Sequence, residues 1–145
     1  MFNPIYVTNV LVNNGRDGVV VSQDRELHLS LVMSEILGGT SKRKGTNPEQ
    51  LLGACLGACL GSTIQAVAKM NNQLIEGIAI RTRVTLGRLD DNGFQLAIQL
   101  EFSAQSPSMD QLIPLAHDAM NVSPYMKALR GNVEIQWKVV PYLLD

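Results

Sequence analysis

The chain has 145 residues, a net charge of −1 at pH 7 and a hydrophobic fraction of 46%. This length suffices for one domain with its own core, and we expect a single domain over residues 1–145. The near-neutral charge argues against general nucleic-acid binding. Two cysteines do not form the disulfide framework of a small secreted protein, and the N-terminus lacks the pattern of a signal peptide. We therefore expect a soluble, cytoplasmic protein.

The N-terminal third contains three short apolar runs separated by turn residues. Residues 6–12 and 19–21 are rich in valine and predict two strands, joined by the dense turn sequence of residues 13–18. Alternating apolar residues predict a third strand, with Leu27, Leu29 and Leu31 on one face. These runs together predict a small antiparallel meander.

A long, almost uncharged segment follows between residues 45 and 70. Asn47 can cap a helix, Pro48 suits the first helical position, and Gln50 completes a capping box with Asn47. Apolar side chains cover more than one face, so we expect a helix that is buried nearly all round. The apolar positions are Leu51, Leu52, Leu56, Leu60, Ile64 and Val67.

Glycines recur every four residues along this helix, at Gly53, Gly57 and Gly61. Each costs about 1 kcal/mol relative to alanine in a helix, which predicts the close approach of another backbone along that row. The helix is long enough to suggest a membrane span. However, Gly, Ser, Thr and Gln dilute it and it ends in Lys69, so we favour a core helix and no membrane partner.

The period of two returns after residue 72 and predicts a hairpin. Apolar and polar residues alternate over 78–86 and again over 94–102, and the sequence Asp-Asp-Asn-Gly between them is typical of a turn. A further alternation over 133–139 predicts the last strand.

Two helices are predicted between the hairpin and the last strand. Ser108 and Gln111 match a capping box that opens a helix to about residue 121. Ser123 and Pro124 match a new cap and first turn, which predict a short helix to about residue 129. The order of the elements predicts an α+β fold, with a mostly antiparallel sheet and helices packed on one side.

Four segments occur in the order found in one known family. The most specific comprises residues 45–51, Gly-Thr-Asn-Pro-Glu-Gln-Leu, with Ala-Cys following at 58–59. The others are Gly-Arg-Asp-Gly at 15–18, Ser-Pro-Tyr at 123–125 and Arg-Gly-Asn at 130–132. The chain thereby resembles the organic hydroperoxide resistance (Ohr) proteins of the OsmC/Ohr family over nearly its whole length. The resemblance implies an intertwined homodimer with the two long helices near the subunit boundary.

The resemblance also implies a catalytic site, with Cys59 as the nucleophile that attacks a peroxide. Arg16 would favour its thiolate and steady the developing oxyanion, and Glu49 would hold the guanidinium bidentately. The implied activity is that of an organic hydroperoxide reductase, an antioxidant enzyme that uses a sulfenic acid and no cofactor. The resemblance further implies a dithiol reductant such as dihydrolipoamide.

Each of these residues also has a simpler structural interpretation. Cys59 suits a buried small hydrophobe, Arg16 an exposed turn and Glu49 the first turn of a helix. Ten residues of helix separate Glu49 from Cys59, which is roughly 15 Å along the axis, with the side chains about 80° apart. Either Arg16 bridges this gap, or Glu49 of a second subunit supplies the contact.

The sequence departs from the family at Ser123, where typical Ohr proteins have a second, resolving cysteine. Serine cannot form a disulfide, and Cys55 is the other thiol of the chain. Cysteines four residues apart on a helix lie roughly 6 Å apart at Cα, within disulfide range, but the bond would strain the helix. Three outcomes stay open: Cys55 resolves Cys59, an external thiol reduces the sulfenic acid, or peroxidase activity is weak or absent.

Other functions have less support. A zinc site would need Cys55 and Cys59 with His28 and His117, without a Cys-x-x-Cys pair. A hydrolase could use Cys59 with His117. The main alternative from another class is a binding module, in which an apolar pocket at the interface of the implied dimer holds a fatty acyl or other hydrophobic ligand and the cysteines are inert.

Overall fold

A computed structural model describes residues 2–144. The chain divides into two compact units, Met1–Leu51 and Leu52–Asp145. The predicted single domain stays a prediction, and the two units are described separately below.

The first unit is built on a three-stranded antiparallel sheet. Its strands are β1 (Val10–Asn13), β2 (Val19–Ser22) and β3 (His28–Ser30), in that spatial order. The predicted meander is therefore confirmed. Strand β1 begins later than expected, because β2 ends at Ser22 and residues 6–9 have no strand opposite them.

A tight turn joins β1 to β2 and carries Arg16. The turn contains a short 3₁₀ segment, Gly15–Asp17, and Asn14 and Gly15 take left-handed φ angles of 49° and 53°. Gly18 is required here, because a Cβ at this position would lie only 1.7 Å from the Asn13 carbonyl oxygen. The local backbone thus fixes the place from which Arg16 extends.

The second unit contains a sheet of β4 (Ala79–Arg88), β5 (Phe94–Ser103) and β6 (Glu134–Val139), in that order. Strands β4 and β5 form the predicted antiparallel hairpin. Strand β6 pairs with β5 in parallel. Parallel neighbours need a long crossover, and the helices between β5 and β6 provide it.

The three α-helices of the described chain are α1 (Pro48–Met70), α2 (Met109–Val122) and α3 (Pro124–Leu129). Side chains of all three contribute to the core of the second unit, together with the inward face of the sheet. The fully buried members include Leu56, Leu60, Ile64, Ile98, Leu100, Phe102, Leu112, Leu115 and Met126. The predicted α+β architecture is confirmed.

Helix α1 buries one side rather than nearly its whole surface. Leu56, Leu60 and Ile64 are fully buried, whereas Ala54 and Ala58 are exposed on the opposite side. The expectation of burial all round is therefore wrong for the single chain. By length and composition alone, with a mean hydropathy of 1.7, α1 could also cross a membrane.

The glycine row of α1 lies against strand β4. A Cβ at Gly53 would be 3.8 Å from the Thr82 carbonyl oxygen, and one at Gly57 would be 3.8 Å from that of Ile80. A neighbouring backbone thus lies in van der Waals contact at Gly53 and Gly57, as predicted, whereas the neighbour of Gly61 is the Ile80 side chain at 3.9 Å.

The predicted helix caps are borne out only in part. Gln50 N donates to Asn47 Oδ1 at 2.8 Å, as expected, but the Gln50 side chain accepts from Thr46 Oγ1 instead of returning to Asn47. At α2, Ser108 Oγ donates to the Gln111 side chain at 3.1 Å and makes no capping bond to the backbone. Both predicted capping boxes are therefore wrong. The Gln50 side chain bonds to the Thr46 hydroxyl, and the Ser108 and Gln111 side chains bond to each other instead of to the backbone.

Candidate active site

Arg16 and Glu49 form a bidentate ion pair within the first unit. Nη1 of Arg16 donates to Oε2 of Glu49 at 2.9 Å, and Nη2 donates to Oε1 at 2.6 Å. The side chains are only 31% and 19% exposed, respectively. Two parallel bonds fix the plane of the guanidinium as well as its position. The ion pair that the resemblance implied is present, while its role towards Cys59 stays a prediction.

The pair holds both side chains in their charged forms. The hydrogen bond from Arg16 is the main cause that lowers the pKa of Glu49, and it outweighs the opposing effect of desolvation. The same bond raises the pKa of Arg16. Glu49 also lies in the first turn of α1, where a negative charge is favourable. A fixed positive group is therefore present at neutral pH.

Neighbouring contacts hold the turn that carries Arg16. Oδ1 of Asp17 accepts from the backbone N–H of Met33 at 3.2 Å. The carbonyl oxygen of Asp17 accepts from the Arg43 guanidinium at 3.1 Å. These bonds tie the turn to the segment after β3, so Arg16 extends from a supported backbone.

Cys59 is a half-buried free thiol on α1, in the second unit. Its Sγ lies 3.5 Å from Oγ of Ser123, which is fully buried. The carbonyl oxygen of Cys59 accepts from Thr63 Oγ1 at 2.8 Å. Ser123 also accepts from the backbone N–H of Met126 and so caps α3, as predicted. The sulfur of Cys59 therefore faces Ser123, the position at which the resemblance implies a second thiol.

Cys55 is also a half-buried free thiol, and its surroundings include Tyr125. Hydrogen bonding with Cys55 is the main cause that raises the pKa of Tyr125, and the charges of Cys55 and Cys59 and desolvation act in the same direction. Tyr125 is 46% exposed in the first turn of α3. One end of α3 thus places the Ser123 hydroxyl beside Cys59 and brings Tyr125 into the surroundings of the two thiols.

Sequence reasoning missed Tyr125 as a neighbour of the thiols. Tyr125 belongs to the Ser-Pro-Tyr segment, and its place two residues after the cap Ser123 was the available signal. Sequence reasoning also missed Thr82, whose buried Oγ1 has no hydrogen-bond partner among the described residues. This hydroxyl faces Gly57, at 3.6 Å from where a Cβ would lie.

The two histidines do not support the zinc or hydrolase alternatives. His28 is exposed on β3, and the ring of His117 contacts Asp118 and Asn121 of its own helix. Between residues 2 and 144, no group of three or more His, Cys, Asp or Glu side chains could hold a metal ion.

Comparisons with known proteins agree with the fold and the order of the segments. The model of the family described as OsmC-like protein matches residues 39–138. The organic hydroperoxide resistance protein OhrA of Bacillus subtilis is 32% identical over 139 residues, which cover 96% of this chain and 99% of OhrA.

Two crystal structures are similar to this chain over 94% of its length. An organic hydroperoxide resistance protein of Legionella pneumophila is 33% identical with a TM-score of 0.86, covering 94% of this chain and 98% of its own. OhrB of Bacillus subtilis is 31% identical with a TM-score of 0.84, covering 94% of this chain and 100% of its own. The chain therefore belongs to the OsmC family and, within it, to the organic hydroperoxide resistance proteins.

Proposed function

We propose that the protein is a thiol peroxidase that reduces organic hydroperoxides to alcohols, with Cys59 as the nucleophile. Family membership supports a role in peroxide detoxification. The observation that carries the proposal further is the bidentate Arg16–Glu49 pair. A solvated turn arginine needs no such partner, whereas a guanidinium that must stabilise an anion benefits from a fixed plane.

The proposed reaction is a two-electron transfer at sulfur. The Cys59 thiolate attacks the terminal oxygen of R–O–O–H, so that an S–O bond forms while the O–O bond breaks. The alkoxide leaves and takes up a proton to become R–OH, and Cys59 becomes a sulfenic acid. Sulfur is oxidised by two electrons and the peroxide is reduced by two.

The roles proposed for Arg16 and Glu49 follow from charge. The guanidinium of Arg16 favours the thiolate over the thiol and offsets the negative charge that develops on the departing oxygen. Glu49 keeps the guanidinium oriented through its two hydrogen bonds. Either the Arg16–Glu49 pair of the same chain or that of a second subunit serves Cys59.

Two routes would return Cys59 to its reduced form. Cys55, one helical turn away, could attack the sulfenic acid and form a disulfide with loss of water, at the cost of helix strain, and an external dithiol would then reduce this disulfide to the two thiols. Alternatively, an external dithiol such as dihydrolipoamide attacks the sulfenic acid directly and releases water. Its second thiol then displaces the Cys59 thiol, and the dithiol leaves as its own disulfide. Ser123 itself has no sulfur with which to resolve Cys59.

We further propose that the active form is a homodimer. Val10, Leu11 and Val12 of β1 are 50%, 68% and 50% exposed. Helix α1 exposes a row of small side chains that includes Ala54 and Ala58. Covering such surfaces with a second copy would remove apolar area from water. Light scattering should give about twice 15.8 kDa, and a monomer with full peroxidase activity would exclude this proposal.

Whole-protein mass spectrometry after one equivalent of cumene hydroperoxide tests the proposed chemistry. An added oxygen indicates a sulfenic acid at Cys59, and a loss of two hydrogens indicates a Cys55–Cys59 disulfide. The Cys59→Ser variant is the matched control and should show neither change. An unreacted wild-type protein would instead favour the binding module, with inert cysteines beside a hydrophobic ligand.

A further inference from the structure

The hydroxyl of Ser123 is enclosed by the protein and lies beside the Cys59 sulfur. Ser123 is fully buried, and its Oγ lies 3.5 Å from Sγ of Cys59. This distance is within hydrogen-bond range for a sulfur partner, because sulfur is larger than oxygen. The capping bond to the Met126 N–H does not involve this sulfur, so the role of Ser123 as a cap does not explain its contact with Cys59.

The hydrogen-bond capacity of Ser123 leaves its proton for Cys59. A serine hydroxyl has one proton and two lone pairs. The backbone N–H of Met126 donates to Oγ at 3.4 Å and so occupies a lone pair. Among the described residues, the acceptor that lies within hydrogen-bond distance of Ser123 Oγ is Cys59 Sγ. Since a thiolate carries no proton, Ser123 must be the donor whenever Cys59 is ionised.

We propose that Ser123 is a catalytic residue that donates a hydrogen bond to the Cys59 thiolate. This inference rests on the proposed peroxidase function and assigns to Ser123 a role that does not need a disulfide. The Met126 N–H polarises and orients the hydroxyl, and the hydroxyl then stabilises the negative sulfur. The hydrogen bond from Ser123 also orients the Cys59 sulfur, and so sets the direction from which it attacks a peroxide.

The alternative is that Ser123 is only a helix cap, and the pH profile of thiol alkylation separates the two. In a Cys55→Ser background, Cys59 is the single thiol, so its rate of reaction with iodoacetamide reports its thiolate fraction. We expect Ser123→Ala to slow alkylation at neutral pH by about tenfold and to shift the profile towards alkaline pH. An unchanged profile would overturn the proposal, whether or not the variant is less stable than its parent.

Ser123→Thr retains both the hydroxyl and the cap, and it guards against poor folding of Ser123→Ala. We expect Ser123→Thr to keep the profile of the parent protein, and a profile like that of Ser123→Ala would contradict the hydrogen-bond role. Peroxide consumption is measured in parallel on wild type and on the Ser123 variants that retain Cys55, so that the loss of a possible resolving thiol does not affect the result. A protein that shows the alkylation shift without consuming peroxide would refute the proposed function while retaining the Ser123–Cys59 hydrogen bond.

Discussion

Arg16 and Glu49, which are 33 residues apart in the sequence, are joined by two parallel hydrogen bonds of 2.9 and 2.6 Å. The turn between β1 and β2 supplies the arginine, and the first turn of α1 supplies the acid. A lysine could match the charge of Arg16 but not its planar fork. The pair therefore permits a test that separates charge from geometry.

We expect Arg16→Lys to lower kcat/KM for an organic hydroperoxide by about 10²-fold, because the orienting bonds to Glu49 are lost. Arg81→Lys is the matched control, since Arg81 forms an ion pair with Glu101 at 2.9 Å on the second sheet. Steady-state peroxide consumption should be nearly unchanged in this control. Equal activity of Arg16→Lys and wild type would contradict the role of the guanidinium.

The pKa of Glu49 makes the stability of the fold depend on pH. Because Arg16 lowers this pKa in the folded state, the folded protein binds its proton at Glu49 less readily than the unfolded chain does. The pair thus stabilises the fold above the ordinary carboxyl range, and this contribution is lost as the pH falls through the lowered value.

We therefore expect the free energy of unfolding of wild type to fall more steeply below about pH 5 than that of Glu49→Gln. Urea unfolding over a pH series measures both slopes. Asp24 and Glu101 also have lowered pKa values, but they are common to both proteins and cancel in the comparison. Parallel pH profiles would show that the ion pair contributes no stability.

Thr82 provides a test of packing between α1 and β4. Its hydroxyl is buried without a partner among residues 2–144, so Thr82→Val should raise the free energy of unfolding by about 1 kcal/mol. Thr85→Val, on the outward face of the same strand, should change it by less than about 0.5 kcal/mol. Destabilisation by Thr82→Val would show that the hydroxyl has a partner in the assembled protein.

Ser123→Cys should convert the site to one that forms a disulfide. The distance of 3.5 Å between Cys59 Sγ and Ser123 Oγ needs only a small shift to reach the S–S bond length of about 2.05 Å. After one equivalent of organic hydroperoxide, the variant should lose two hydrogens and Cys55 should stay alkylatable. Persistence of an added oxygen would mean that the two positions do not meet in the reacting protein.

Much of the fold could be predicted because local patterns agree with the final packing. The alternation over residues 78–102 specifies the hairpin, and the glycine row of α1 indicates the close approach of β4. The parallel pairing of β6 with β5 could not be predicted, because the same alternation suits either direction. The exposed side of α1 was missed because its alanines satisfy an apolar pattern whether or not they are covered.

The site was predicted less completely than the fold. The Arg16–Glu49 pair followed from the resemblance alone, since no local pattern relates a turn to a helix 33 residues later. Ser123 was predicted as a cap, but its contact with Cys59 depends on how α3 packs against α1. Tertiary contacts of this kind leave no periodic trace in the sequence.

Peroxide consumption by wild type, Cys59→Ser and Cys55→Ser, each supplied with a dithiol and with a monothiol, tests the central claim most directly. The account predicts that Cys59→Ser abolishes turnover with both reductants, because no sulfur is left at the nucleophilic position. Cys55→Ser should retain turnover with each reductant, dithiol or monothiol, that attacks the Cys59 sulfenic acid directly. Undiminished turnover by Cys59→Ser would contradict the assignment of Cys59 as the nucleophile.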